Sequence, residues 1–146
     1  MIEKMKLLFA VVLAYRHNLH MLHWKVVGCD FDTIHKLLDD YVDKFNTFVD
    51  EIAEMLLSIG HNPLTLQEAI TLLSDLNTHI LVIESQEDYE SDKVFKALDI
   101  MFNDLYTMYT DISNECEYSE CVSKFDEHKY WLRVEGKYKN KKRLEN

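Results

Sequence analysis

Apolar residues recur every three or four positions through most of this chain, which is the spacing of helices that bury one face. The pattern is clearest from Asp30 to Gly60, where it predicts one long helix. Asp30 or Asp32 can cap the start of this helix, and Gly60 followed by Pro63 ends it. The side predicted to face the core carries Ile34, Leu38, Tyr41, Phe45, Phe48, Ile52 and Leu56.

The same periodicity predicts the remaining helices. Residues 94–112 form a third long helix, and residues 119 to about 137 form a fourth. Between the second and third helices, Thr65 and Glu68 have the spacing of a capping box, so a short crossover helix starts there. With one proline and three glycines among 146 residues, the chain is predicted to be a single all-α domain.

The first helix has an alternative interpretation, because two lysines precede an apolar run from Leu7 to Ala14, as in a signal peptide. That run is short, lacks an A-x-A cleavage pattern and continues directly into YRHNLHMLHW, so we favour a mature bundle helix. No stretch is long enough for an ordinary transmembrane helix. Three cysteines, Cys29, Cys116 and Cys121, form neither even pairs nor a C-x-x-C motif, which favours a cytoplasmic location.

The face of the long helix opposite its apolar side carries residue types that bind metals. His35 and Asp39 lie one turn apart, as do Asp50 and Glu54, and two such side chains can bind one ion together. The two pairs are about 16 Å apart along the helix axis, which is too far for one ion to touch both. In a chain with 26 acidic residues, an ordinary solvated helix face is the alternative interpretation.

A second copy of the helix can bring the two kinds of pair together. If it lies antiparallel across a two-fold axis near Lys44 and Phe45, the acidic pair of one chain faces the His–Asp pair of the other. His23, at the end of the preceding helix, can join His35 as a second imidazole. The apolar surface beside this face needs a partner to cover it, and it comprises Val42, Val49, Ala53 and Leu57. The spacing therefore predicts a dimer with two intersubunit metal sites.

The stretch from Leu19 to Pro63 resembles the signature region of the Dps family, the mini-ferritins named for DNA protection during starvation. The matching residues are His23 and Trp24, Val27 and Gly28, Phe31, His35, Asp39, and the run from Asp50 to Glu54. HKYWLR, at 128–133, is similar to the family's last-helix motif. The resemblance implies a ferritin-like four-helix bundle over residues 1–136, with a short crossover helix between helices two and three, and a basic tail over 137–146.

The resemblance also implies a ferroxidase centre shared by two subunits. There His23, His35 and Asp39 of one subunit bind one or two iron ions (Fe2+/Fe3+) together with Asp50 and Glu54 of the two-fold mate. Such a protein oxidises Fe(II), with hydrogen peroxide as the expected oxidant, and stores the ferric mineral inside a hollow dodecamer, which protects DNA from oxidative damage. A structural zinc site is the alternative use of these ligands. No His follows a Glu by three positions, so the Glu-x-x-His site of larger ferritins is not expected.

Three acidic or aromatic residues outside the ligand set receive roles through the resemblance. Trp24, next to His23, is either an electron donor that quenches stray oxidising equivalents or a residue buried at a helix end. Glu117 and Glu120 fall where the family has acidic pore residues that guide cations into the shell.

The charge of the chain is unevenly distributed: its net charge is −10, yet the last eleven residues hold five basic groups and one acid. This predicted flexible arm comprises Lys137, Lys139, Lys141, Lys142 and Arg143. Some members of the family that the chain resembles bind DNA phosphates through such arms without sequence readout, although the acidic body opposes this and a basic last turn also complements a helix dipole. The alternative function is therefore a non-specific DNA-binding nucleoid protein with a vestigial metal site.

Overall fold

The computed structural model describes residues 1–76, 79–140 and 142–143, without the side chains of 137 and 138. Its elements in chain order are α1 (Ile2–Lys25), α2 (Phe31–Ser58), α3 (Leu66–Asp75), α4 (Ser91–Glu115), α5 (Ser119–Leu132) and a π-helix (Arg133–Asn140). The predicted all-α fold is confirmed. Helices α1, α2, α4 and α5 are the four long helices of the bundle, and α3 is the crossover helix between the second and third of them.

The long hairpins of the bundle are α1 with α2 and α4 with α5, and α3 lies against α1. The predicted buried face of α2 is confirmed, since none of its seven apolar residues is more than 4% exposed. Among the described residues, no helix is both long enough and apolar enough to cross a membrane.

Helix α2 ends where its sequence predicts, at a glycine in the left-handed region. Gly60 has a φ of 85° and donates its N–H to the carbonyl of Leu57, while His61 donates to Leu56 at 2.8 Å. These two bonds are the pairing of a Schellman motif, which satisfies the last carbonyls of a helix. The end of α2 is therefore fixed by local backbone bonds.

The capping box at the start of α3 is also confirmed. The Thr65 hydroxyl accepts the backbone N–H of Glu68 at 3.1 Å, and the Glu68 carboxylate accepts the backbone N–H of Thr65 at 2.9 Å. Both orphan donors at this helix start are thus satisfied by side chains of the chain itself.

The fourth long helix differs from the prediction, because α5 ends at Leu132 and continues as a π-helix rather than as α-helix to about residue 137. In the wider π-helix residues five apart share a face, so Glu135 and Asn140 both reach the hydroxyl of Tyr41, at 2.7 and 3.2 Å. Gly136 lies so close to Phe102 that a Cβ at this position would be 3.0 Å from the Phe102 Cβ. Tertiary contacts thus select the π-helix here.

Candidate metal centre

The hairpin of α1 and α2 brings His23 and His35 face to face. Their ring centroids are 3.6 Å apart with an interplanar angle of 21°, and Phe31 stacks on the other side of His35 at 4.7 Å. The corner between the helices is held by Tyr89, which donates its N–H to Lys25 at 3.0 Å and accepts one from Val27 at 2.9 Å. The two imidazoles are therefore positioned by ring stacking together with the backbone bonds at this corner.

The two histidines also fix each other's tautomer. The Nδ1 atom of His23 lies 2.8 Å from the backbone carbonyl oxygen of His35, and the Nδ1 atom of His35 lies 2.9 Å from that of His23. A carbonyl oxygen can only accept, so each Nδ1 carries the hydrogen and each neutral ring keeps a lone pair on Nε2. A metal-binding histidine is held in this way, with one nitrogen donating to an acceptor and the other free for the ion.

The acidic residues of the prediction lie on the same face of α2 in two places. Asp39 is exposed one turn after His35, at the histidine half of the helix. Asp50 and Glu54 are exposed toward the other end, and the negative charge of Asp50, with a hydrogen bond between the two side chains, raises the pKa of Glu54. Their carboxyl groups thus lie close enough to repel each other, and a cation between them relieves that repulsion.

The two halves do not meet within one chain. The turn that ends at Asp39 and the turn that starts at Asp50 are separated by about 16 Å of helix. Accordingly, within residues 1–76, 79–140 and 142–143, no group of three or more His, Cys, Asp or Glu side chains gathers to hold a metal ion. The five-residue site across two subunits therefore stays a prediction that needs a second copy of the chain.

The apolar residues expected to flank the site are only partly open. Val42 is 4% exposed and already buried in its own chain, while Leu57 is 55% exposed.

Trp24 is 58% exposed, so it is not buried at its helix end within one chain, and its ring stacks on His20 at 4.7 Å with an interplanar angle of 12°. The proposed role of Trp24 as an electron donor stays a prediction.

The sequence analysis did not predict a second polar group, which lies beside α2. Glu51 points to α5 rather than to the ligand face, and its carboxylate lies 2.8 Å from Lys124 Nζ and 3.3 Å from His128 Nε2. His128 is 2% exposed and also contacts the hydroxyl of Tyr109 through Nδ1 at 2.7 Å, so it is a hydrogen-bonded core histidine. The available signal was the spacing of Lys124 and His128, one turn apart on the inward side of α5.

Burial and neighbouring charges shift the pKa values of this group in opposite directions. Burial lowers the pKa of His128 to about 4, so the ring is neutral at pH 7. Burial raises the pKa of Glu51, but the hydrogen bond from Lys124 and the contact with His128 outweigh it, and the net shift is downward. Glu51 is therefore a carboxylate bound to a neutral imidazole and a charged ammonium group.

The remaining predicted residues lie on the surface of the chain or in the C-terminal segment. Glu117 and Glu120 are exposed at the connection between α4 and α5, and their role in a pore stays a prediction.

The C-terminal segment is less free than predicted where it is described. Lys139 pairs with Glu135 at 2.8 Å, Arg143 donates to the Tyr41 hydroxyl at 3.3 Å, and Lys142 is exposed. The side chain of Lys137 and the whole of Lys141 lie outside the described residues. DNA binding through this segment stays a prediction.

Known proteins share both the sequence pattern and the fold of this chain. Residues 2–120 match the family model of the ferritin-like domain. The chain is 30% identical over 116 residues to the DNA protection during starvation protein of Helicobacter pylori, and this match covers 79% of the chain and 76% of that protein.

Two solved structures superpose on nearly the whole chain. Antigen TpF1 from Treponema pallidum has a TM-score of 0.87 at 19% identity, over 99% of this chain and 91% of that one. Dps from Staphylococcus aureus has a TM-score of 0.83 at 20% identity, over 98% of this chain and 93% of that one. Together with the family model and the Helicobacter relative, these matches show that the chain belongs to the Dps family of ferritin-like proteins.

Proposed function

We propose that the chain is a subunit of an iron-oxidising and iron-storing shell, in which Fe(II) is oxidised at sites between subunits. The observation that carries this proposal is the pair of imidazoles, His23 and His35, whose Nδ1 atoms are engaged and whose Nε2 atoms keep their lone pairs. With the carboxylate of Asp39 they form half of a site suited to Fe(II). Asp50 and Glu54 of the two-fold mate supply the other half.

Iron is the substrate of this site. The imidazole nitrogens bind Fe(II), and the carboxylates supply the negative charge that favours Fe(III), so binding is coupled to oxidation. Hydrogen peroxide is the proposed oxidant. Each peroxide molecule accepts one electron from each of two Fe(II) ions, takes up two protons, and yields two water molecules. Such a reaction removes Fe(II) and peroxide together without releasing hydroxyl radical, which is how the protein would protect DNA.

The ferric product needs an enclosed space. We propose a hollow dodecamer built from two-fold dimers, supported by the membership of the chain in the Dps family and by its relative named for DNA protection. Glu117 and Glu120 are exposed where α4 meets α5, and their charge would draw Fe(II) toward a pore.

The test is anaerobic titration of the assembled protein with Fe(II), followed by addition of peroxide, with ferric absorbance as the readout. His35→Ala and Glu54→Ala should each bind less Fe(II) and oxidise it slowly. Asp43→Ala is the matched control, because Asp43 is an exposed acid on α2 outside the proposed ligand set. Wild-type rates in both ligand variants would remove the ferroxidase proposal.

A further inference from the structure

A chain of hydrogen bonds runs from the centre of the bundle to the helix that carries the proposed iron ligands. Tyr109 is fully buried, and its hydroxyl lies 2.7 Å from Nδ1 of His128. The other ring nitrogen of His128, Nε2, lies 3.3 Å from Oε1 of Glu51. Lys124 Nζ binds the second oxygen of the same carboxylate at 2.8 Å.

The chemistry of the groups fixes the direction of each bond. The Glu51 carboxylate can only accept, so Nε2 of the neutral His128 ring carries the hydrogen and Nδ1 carries the lone pair. Tyr109 is therefore the donor to Nδ1. Burial raises the pKa of Tyr109 and lowers that of His128 to about 4, so at neutral pH the phenol keeps its proton beside an unprotonated base.

This arrangement differs from that of other buried tyrosines in the described part of the chain. Tyr15 and Tyr41 donate to the carboxylates of Asp104 and Glu135, each at 2.7 Å. At Tyr109 the acceptor is instead an imidazole whose second nitrogen is bound to a carboxylate, which can accept a proton and stabilise the resulting cation in place. A phenol that loses an electron becomes a strong acid, so it needs such an acceptor within hydrogen-bond reach.

We propose that Tyr109 is a redox-active residue that passes its proton to His128 when it is oxidised. The co-reactant is a one-electron oxidant of the hydroxyl-radical class, which forms when a single Fe(II) ion reacts with peroxide. One electron leaves Tyr109, its O–H bond breaks, and the proton moves to Nδ1 of His128. The products are a neutral tyrosyl radical, an imidazolium paired with Glu51, and the oxidant reduced by one electron to hydroxide.

One end of the network lies on the helix that carries the proposed iron ligands. Glu51 follows the proposed ligand Asp50 directly and lies on the same helix, while Phe48 stacks on the His128 ring with a centroid distance of 4.1 Å and an angle of 21°. The radical is reset when an Fe(II) ion returns the electron and the proton moves back to Tyr109. The inference rests on the proposed function for the source of its oxidant, and on the described contacts for the redox site.

The test generates the oxidant without iron, so that it is independent of the ferroxidase proposal. Assembled, iron-free protein with ring-deuterated tyrosine is oxidised by laser flashes with ruthenium tris-bipyridine and persulfate, and radicals are recorded by electron paramagnetic resonance. We expect a persistent tyrosyl signal that narrows with the deuterated ring and is lost in Tyr109→Phe. The matched control is Tyr89→Phe, which removes the hydroxyl of a tyrosine that is 8% exposed and accepts a backbone N–H from Glu84.

A second measurement keeps the hydroxyl and the fold intact. Difluorotyrosine placed at position 109 should add fluorine splitting to the radical signal, whereas the same substitution at position 89 should not. A signal that is unchanged in Tyr109→Phe, or one without fluorine splitting from position 109, overturns the inference. A radical at Tyr109 in a protein that does not oxidise Fe(II) would contradict the proposed function and leave the redox site standing.

Discussion

His23 and His35 are joined by two reciprocal hydrogen bonds. Each ring donates its Nδ1 hydrogen to the backbone carbonyl of the other residue, at 2.8 and 2.9 Å. The same two bonds join the end of α1 to the start of α2 and leave both Nε2 atoms for a ligand. Hairpin stability and the proposed iron binding therefore depend on different nitrogens of one ring.

Two substitutions at position 35 separate these roles. Asn carries an N–H donor near the place of Nδ1 but nothing near Nε2, whereas Ala lacks both. We expect His35→Asn and His35→Ala to lose Fe(II) oxidation equally, with Ala costing about 1 kcal/mol more in the free energy of unfolding. Chemical denaturation and ferric absorbance measure the two effects, and full oxidation by His35→Asn would show that Nε2 is not a ligand.

The shared site predicts that two inactive variants complement each other. When His35→Ala and Glu54→Ala subunits form a mixed dimer, one site receives both lesions and the other receives neither. Random mixing should thus restore about a quarter of the centres, since half of the dimers are mixed. The measurement is the Fe(II) oxidation rate after unfolding and joint refolding of the two variants. Refolding either variant alone is the control, and a mixture no faster than these would place the whole site in one subunit.

Titration of His128 should make the protein less stable in mild acid. Its pKa in the folded chain is about 4 against an ordinary 6.5, so between these values the unfolded chain binds a proton that the folded chain does not. Stability therefore falls as the pH falls through this window, by up to about 3 kcal/mol, and this contribution is constant below it. Glu51 and Glu127 favour the charged ring and Lys124 disfavours it, but burial dominates.

The measurement is urea unfolding at pH 7 and pH 5, at a fixed protein concentration because assembly also stabilises the fold. His128→Gln should flatten the dependence on pH. His79→Gln, at an exposed position, should keep the wild-type slope. An unchanged slope in His128→Gln would mean that this ring is not the group that titrates.

Exposed apolar residues at the end of α2 and on α3 are predicted to lie between subunits. Leu57, Leu66 and Ile70 are 55, 65 and 58% exposed in the isolated chain. Because a carboxylate cannot be buried in an apolar contact without a cost of several kcal/mol, Ile70→Glu should yield smaller species in native mass spectrometry and slow iron oxidation. Gln67→Glu adds the same charge at an exposed polar position of α3 and should assemble normally. Assembly of Ile70→Glu at the wild-type level would place Ile70 outside the interface.

DNA binding should be weak at physiological salt. Of the basic groups described in the C-terminal segment, Lys139 is paired with Glu135 and Arg143 contacts Tyr41, while the body of the chain is acidic. We therefore expect duplex DNA to migrate freely in gel-shift assays with the assembled wild-type protein. Retention that is lost in the double variant Lys139→Ala, Lys142→Ala, but not in Lys96→Ala on α4, would instead support the DNA-binding alternative.

Short-range patterns in the sequence were sufficient for most of the fold. The apolar period of α2, the Gly60 stop and the capping box of Thr65 and Glu68 all involve residues within a few positions of each other, and all are confirmed. The residue types of the candidate site could also be read from the sequence, because His35 with Asp39, and Asp50 with Glu54, lie one turn apart on the face opposite the apolar side. None of these features depends on contacts between segments that are distant in the sequence.

Other features were decided only by tertiary structure. The π-helix after Leu132 forms because Tyr41 and Phe102, far away in the sequence, meet Glu135, Gly136 and Asn140. The tautomer of His23 and His35 depends on how α1 and α2 close their hairpin.

The acidic run from Asp50 to Glu54 likewise does not reveal which way the Glu51 side chain points. Asp50 and Glu54 are exposed, yet Glu51 turns to Lys124 and His128 on α5. A linear pattern gives the angle of a side chain about its own helix, whereas its partner is set by which helix packs beside it. The sequence by itself thus determined the helices and the types of candidate ligand, and the packing of the helices decided which side chains contact each other.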